Sequence, residues 1–402
     1  MSTTMPTTTT TNKPTTLALA HLQPLLQDGA ITPALTAQYH TSVTGPWSQT
    51  CWTRAAGYLL PQTVAELTQA LAILKHTHAR FALRSTGHNP NAGFSSADGS
   101  ALVLDLSRFR EMELTAEGAA RVGAGCTWGE VGIAGGMGAF PNLYGTGADG
   151  VRSFQVLLAD GRLVNANAHE HPDLYRALKG GGTNFGIVTR VDLETHPLRP
   201  IQYTIDLYSP DDYMEINKAT VAVQMAMEEN PKIGLFTNFN DGRAITSVTT
   251  RVSHDLYDRV YLCWTQLRKT LPAGCALHYT IQPMGTAGVQ AGSDRGGNIM
   301  GLEAVPQCWW VFTSEWSQDA EEDVDAAAHG AVRTMAEMVE ALARKEGVFL
   351  DFKCMNFAGA GQKVLGSYGA KNVVRMQAVA EEYDPEGVWQ GLLFGGFLLR
   401  ES

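Results

Sequence analysis

Apolar positions along this chain alternate between two periods. Val64, Leu67, Leu71 and Leu74 recur at helical spacing. Thr63 and Glu66, three residues apart, form the capping box that opens such a helix. The run Phe81-Ala82-Leu83-Arg84 then predicts a short strand ending in a polar loop, Ser85 to Pro90. Ala101–Leu106 and Ala119–Gly123 read as further strands, so this part of the chain has an α/β rhythm. Ser153–Asn167 predicts a hairpin around Asp160-Gly161, a pair suited to a type I′ turn. Pro172–Lys179 predicts a short helix with proline where its missing N–H costs nothing, closed by Gly180-Gly181-Gly182. A strand over Ile187–Leu193 follows.

From about Ile201 the texture changes. Ile205–Leu207, Ala244–Val252 and Trp309–Phe312 read as strands. Val324, Ala328, Ala331, Met335, Met338 and Leu342 form one apolar stripe of a long helix, stopped by Gly347. A last helix spans about Asn372–Glu382 and ends before Asp384-Pro385. Met1–Thr16 is a threonine-rich run expected to be disordered.

Charge and composition narrow the classes. The net charge of −10 argues against nucleic acid or an anionic membrane as a partner. No apolar stretch has the length of a membrane span, and the N-terminus lacks the pattern of a secretory signal, so a cytoplasmic or otherwise soluble chain is expected. The six cysteines form no Cys-x-x-Cys, and His76-x-His78 and His169-x-His171 have no nearby third ligand, so no metal site is expected. The Gly-x-Gly pairs at 123–125 and 180–182 are each followed by a glycine one step late for the dinucleotide fingerprint, and no P-loop occurs. A nicotinamide dehydrogenase or an NTPase is disfavoured.

The loop Arg84-Ser85-Thr86-Gly87-His88-Asn89 suits an anion: a glycine-containing turn can present successive N–H groups, with hydroxyls and a guanidinium beside them. Taken alone, such a loop is more often a simple turn. Together with other segments it resembles a known family. Pro61–Glu66 with this loop, Asn142-Leu143-Tyr144-Gly145 running to Asp149 and Val151, Leu158–Arg162, Asp173–Gly182, Asn184–Thr189, Lys353–Phe357 and Tyr383–Trp389 together resemble the FAD-linked oxidases of the vanillyl-alcohol-oxidase and berberine-bridge-enzyme type.

The resemblance implies an α+β fold: a two-part PCMH-type FAD-binding domain and an α+β substrate domain with an antiparallel sheet over the flavin. The expected division is 1–50 as disordered N-terminus and lead-in, 51–200 as the flavin-binding domain, 201–350 as the substrate domain, and 351–402 returning to the first. It also implies FAD as cofactor, covalently attached through His88, with Arg84, Ser85, Thr86, Gly87, His88, Asn89, Gly136, Gly138, Asp149, Ile187, Val188 and Asn356 around it. The activity implied is an oxidase: a small organic substrate such as a secondary metabolite, alcohol or sugar gives up a hydride, and dioxygen takes the electrons.

Two departures from the family stand out. Family members continue from the equivalent of Val131 into a helix and a second flavin loop, which often carries an attachment cysteine. Here Val131 meets Gly132-Ile133-Ala134-Gly135-Gly136-Met137-Gly138 directly, and four residues cannot complete a helix and crossover. Cys126 precedes the place of that loop and reads as a small core residue. The family's C-terminal Tyr-x-Asn-Tyr becomes Cys354-Met355-Asn356-Phe357, so no phenol remains there. Tyr144 is then the candidate base, helped by a cation such as Lys353 if one lies near; a packing tyrosine is the plainer alternative. A second reading of the whole chain is a non-redox protein on a degenerate flavoprotein fold, binding a small molecule or guiding a cyclisation.

Overall fold

A computed structural model describes residues 13–127, 140–197, 208–235, 244–316 and 322–402, with the single positions 202, 204, 206, 237 and 238. Three sheets organise it. The first has the order Ala30–Ile31, Gly57–Leu59, Leu102–Asp105, Phe81–Arg84; the last three strands run parallel. Helices Lys13–Leu26 and Val64–Thr77 bury Leu22, Leu67, Leu71 and Leu74 against Phe81, Leu102 and Leu104. The chain returns from its far end to close this layer: Leu393 bridges to Phe81, and Trp389 joins the same core.

The second sheet is antiparallel, in the order Met112–Leu114, Ala119–Gly123, Ile187–Glu194, Val151–Leu157, Leu163–Asn167. Helices Pro172–Leu178 and Ala370–Tyr383 contribute Leu174, Tyr175, Met376 and Val379 to the core on its apolar face. The third is also antiparallel, in the order Thr237–Asn238, Ala276–Met284, Gln307–Glu315, Ala244–Arg251, Phe349–Leu350. Its Val248, Tyr279, Ile281, Trp310 and Phe312 meet helices His254–Leu267 and Glu322–Glu346. The mixed helix-and-sheet architecture agrees with the fold class expected from sequence.

Local signals are realised with informative differences. Thr63 accepts the Glu66 N–H at 3.2 Å, but the Glu66 carboxylate reaches back to the N–H of Gln62, one residue before the cap. The hairpin turn is not type I′. Only Gly161 has positive φ (+88°), Gly161 N–H donates to Leu158 O, and Leu158 N–H donates to Arg162 O. This is a three-residue loop with glycine at the bulge position, which leaves Asp160 in ordinary backbone space. Lys13–Thr16, expected to be disordered, instead open a helix, and Thr15 is buried. Residues 1–12 lie outside the described residues, as do Ile205 and Leu207 of an expected strand.

Candidate flavin site

Strand Phe81–Arg84 delivers the loop Ser85–Asn89 from the end of the first sheet. Gly87 sits at φ +71°, and a Cβ there would lie 3.1 Å from Pro46 Cα, so only glycine lets the segment Gly45–Trp47 run alongside. Trp47 N–H donates to Gly87 O at 3.0 Å. Among the described residues, no backbone N–H from Ser85 to Asn89 donates to another group of the chain. The side chains of Ser85, Thr86 and His88 are exposed. Five unengaged donors around a left-handed glycine are the ingredients of a nest for phosphate oxygens.

Arg84 does not add its charge to that nest. Its guanidinium is buried, donating from Nε to Ser95 O at 2.8 Å and from Nη1 to Ser42 O at 2.7 Å, with Asp105 3.7 Å away. It braces the loop from behind, while its Nη2 is left without a partner. Beyond the loop, Asn91 clasps the C-terminal segment: its Nδ2 donates to Ala358 O and its Oδ1 accepts from Ala360 N, each at 2.9 Å. Asn356 lies just before this clasp, exposed in the 3-10 turn Met355–Phe357. Met355 packs against Gly182, so the end of the glycine run, the C-terminal segment and the His88 loop are brought into one neighbourhood. Ile187 opens strand Ile187–Glu194 as a fully buried core residue, which leaves only its backbone for a ligand; Val188 is half-buried on the opposite face.

Tyr144 ends the short helix Pro141–Tyr144, which packs on helix Thr286–Asp294. Its ring stacks on His196 at 3.7 Å, nearly parallel. The cation beside it is Arg295, 5.5 Å from the ring centroid and donating to the Tyr144 carbonyl at 2.6 Å. Lys353 instead approaches Glu340 at 4.0 Å. Asp149 is committed to the protein: Oδ2 accepts from the N–H and hydroxyl of Thr146, and Oδ1 accepts from Asn298. It fixes the turn after Tyr144. Cys126 is half-buried against the core of the second sheet. Gly136 and Gly138 lie outside the described residues.

Among the buried charges that sequence reasoning missed, one is fully buried. Lys179, at the end of helix Pro172–Leu178, is 0% exposed, with its ammonium 4.2 Å from the Tyr175 ring centroid and 3.5 Å from Asp149 O. Burial pushes its pKa down to about 8, against the opposing pull of Asp149. A lysine at a helix end gives no signal of this in sequence. Two cavities, of about 170 and 270 Å³, lie elsewhere: one between Glu303 and Tyr368, the other along Ala360–Gly366 and the C-terminus. Neither is lined by His88 or Tyr144.

An anion-binding loop on a parallel α/β layer, joined to a separate antiparallel sheet, agrees with a flavin-binding oxidoreductase. An FAD-binding-domain model matches residues 55–134. An FAD-dependent monooxygenase of Arthrobotrys oligospora is 30% identical, the alignment covering 88% of this chain and 84% of that one. The chain belongs to this family of FAD-dependent oxidoreductases. Among solved structures, 6-hydroxy-D-nicotine oxidase from Arthrobacter nicotinovorans shares the fold at TM-score 0.69 and 16% identity, over 92% of this chain and 98% of that one. The glucooligosaccharide oxidase of Acremonium strictum, described as carrying a 6-S-cysteinyl, 8α-N1-histidyl FAD, shares it at 0.69 and 13%, over 87% and 93%. The alignment with the Arthrobotrys relative spans 433 positions, more than the 402 residues of this chain. The relative therefore carries segments with no counterpart in this chain. The non-redox alternative is not favoured.

Proposed function

We propose that this enzyme oxidises a small organic molecule of secondary metabolism, with dioxygen as the final acceptor. In this reading residues 51–200 and 351–402 hold FAD, and 201–350 supply the substrate side. The observation that carries it is the nest: five free N–H groups from Ser85 to Asn89, with the His88 imidazole exposed beside them. A pyrophosphate is the part of FAD that such donors fit. Bound FAD supplies two-electron acceptor chemistry and reoxidation by dioxygen; the chain supplies position and proton handling. Ser85 and Thr86 add hydroxyl donors, and His88 is the covalent anchor. Arg84 acts from behind, keeping the loop open through its bonds to Ser42 and Ser95.

Tyr144 takes the proton of the substrate on its phenol oxygen. Its backbone is fixed by Arg295, and the turn that follows it by Asp149 and Thr146, so the ring has a defined place to act from. Oxygen consumption and peroxide formation, screened over alcohols, phenols and sugars, identify the substrate class. With a substrate in hand, Tyr144→Phe is expected to slow anaerobic flavin reduction by roughly 10²–10⁴-fold, with the flavin spectrum unaltered. An unchanged rate would make Tyr144 a packing residue.

A further inference from the structure

Beside the flavin loop lies an aromatic contact between Trp47 and His88. The indole of Trp47 and the imidazole of His88 are stacked, with centroids 5.4 Å apart and planes 13° from parallel. Trp47 is 57% exposed, so the core does not account for its place. Its backbone is locked to the loop by its N–H bond to Gly87 O, and Trp52 Nε1 donates to Pro46 O at 2.8 Å. Among the described residues the ring nitrogens of His88 make no hydrogen bond. A functional histidine is usually oriented by a hydrogen bond to its second nitrogen. Here the stack on Trp47 takes that part.

We propose that Trp47 is a positioning residue for covalent attachment of the flavin, holding the His88 ring in the orientation from which it reacts. The inference rests on His88 being the anchor. The attachment forms one bond, from an imidazole nitrogen to the 8α-carbon. It breaks the imidazole N–H and one methyl C–H. Two electrons and two protons pass to dioxygen, which leaves as hydrogen peroxide.

The test compares purified wild type, Trp47→Phe and Trp47→Leu, each incubated aerobically with added FAD. Total flavin per chain is read from the visible spectrum, and attached flavin from acid-precipitated protein over time. Wild type and Trp47→Phe should attach flavin at similar rates. Trp47→Leu should keep its total flavin and attach it roughly two- to tenfold more slowly, the scale of one lost aromatic contact. Attachment in Trp47→Leu as fast as in wild type would overturn the inference, as would Trp47→Phe being as slow as Trp47→Leu. A parallel loss of total flavin in Trp47→Leu would make Trp47 a binding contact and overturn the positioning role. If wild type itself holds flavin that acid releases completely, the His88 anchor falls, and this inference with it.

Discussion

The second and third sheets each have five antiparallel strands, yet they are covered very differently. In the third, Tyr279, Ile281, Trp310 and Phe312 are all buried beneath two helices of 14 and 25 residues. In the second, among the described residues, cover runs from Ala166 through Phe154 to Val122 and stops before strand Met112–Leu114. Met112 pairs with Val122 and Leu114 with Ala120, so these side chains share the apolar face, but they are 53% and 72% exposed. The under-covered edge adjoins strand Ala119–Gly123, after which residues 128–139 lie outside the described residues. A sheet keeps its strands and register where one face is thinly covered; what it lacks there is burial. Covering Met112 and Leu114 would be worth about 1–2 kcal/mol each.

Breaking the well-covered side should have the largest effect. Trp310→Ala removes a fully buried indole between sheet and helices, and about 3–5 kcal/mol of stability should go with it in denaturant unfolding. A loss below about 1 kcal/mol would mean that the third sheet is no better packed than the second.

The core beneath the second sheet also carries the buried Lys179, which should respond to pH. Its folded pKa, about 8, lies below the unfolded value of 10.5. Between these values the unfolded chain binds the extra proton, so stability from this group rises as pH rises from about 8 to 10.5. Below pH 8 the cost of burying the ammonium is fully present. Lys179→Met should therefore stabilise the protein at pH 7 by up to roughly 3 kcal/mol, and the advantage should vanish by about pH 10.5. A variant less stable than wild type at pH 7 would show that the cation contributes more through Tyr175 and Asp149 than its burial costs.

The smallest effect belongs to the exposed edge. Leu114→Thr should change stability by no more than about 0.5 kcal/mol, while binding of a hydrophobic dye falls. A cost above 1 kcal/mol would show that something in solution covers this edge.

Much of the fold was legible because it is local. The Thr63 cap, the stripe Val324, Ala328, Ala331, Met335 and Leu342 and the stop at Gly347 all act within a few residues, although Val339, not Met338, fills the core between them. The hairpin turn was misread because Asp-Gly also serves a three-residue loop, and the pair alone does not fix loop length. Thr15 and Thr16 read as disordered by composition, but Ala18 and Leu22 further along the same helix find the first sheet and hold them helical. The loop at Ser85–Asn89 was visible as an anion-binding pattern. The inward turn of Arg84 was not, because it depends on Ser42 and Ser95 carbonyls supplied by tertiary structure. Asp149 shows the same limit: its carboxylate answers to Asn298, 149 residues away, a partner that no motif spacing announces. Trp47 on His88 is likewise a contact across 41 positions that no spacing rule announces.

In the function proposed above, this chain holds FAD through the His88 loop. Acid precipitation of purified wild type and His88→Ala tests it most directly. The account predicts yellow protein, with colour kept in the wild-type pellet and released to the supernatant from His88→Ala. A folded wild type that stays colourless when FAD is added, or colour retained in the His88→Ala pellet, would contradict it.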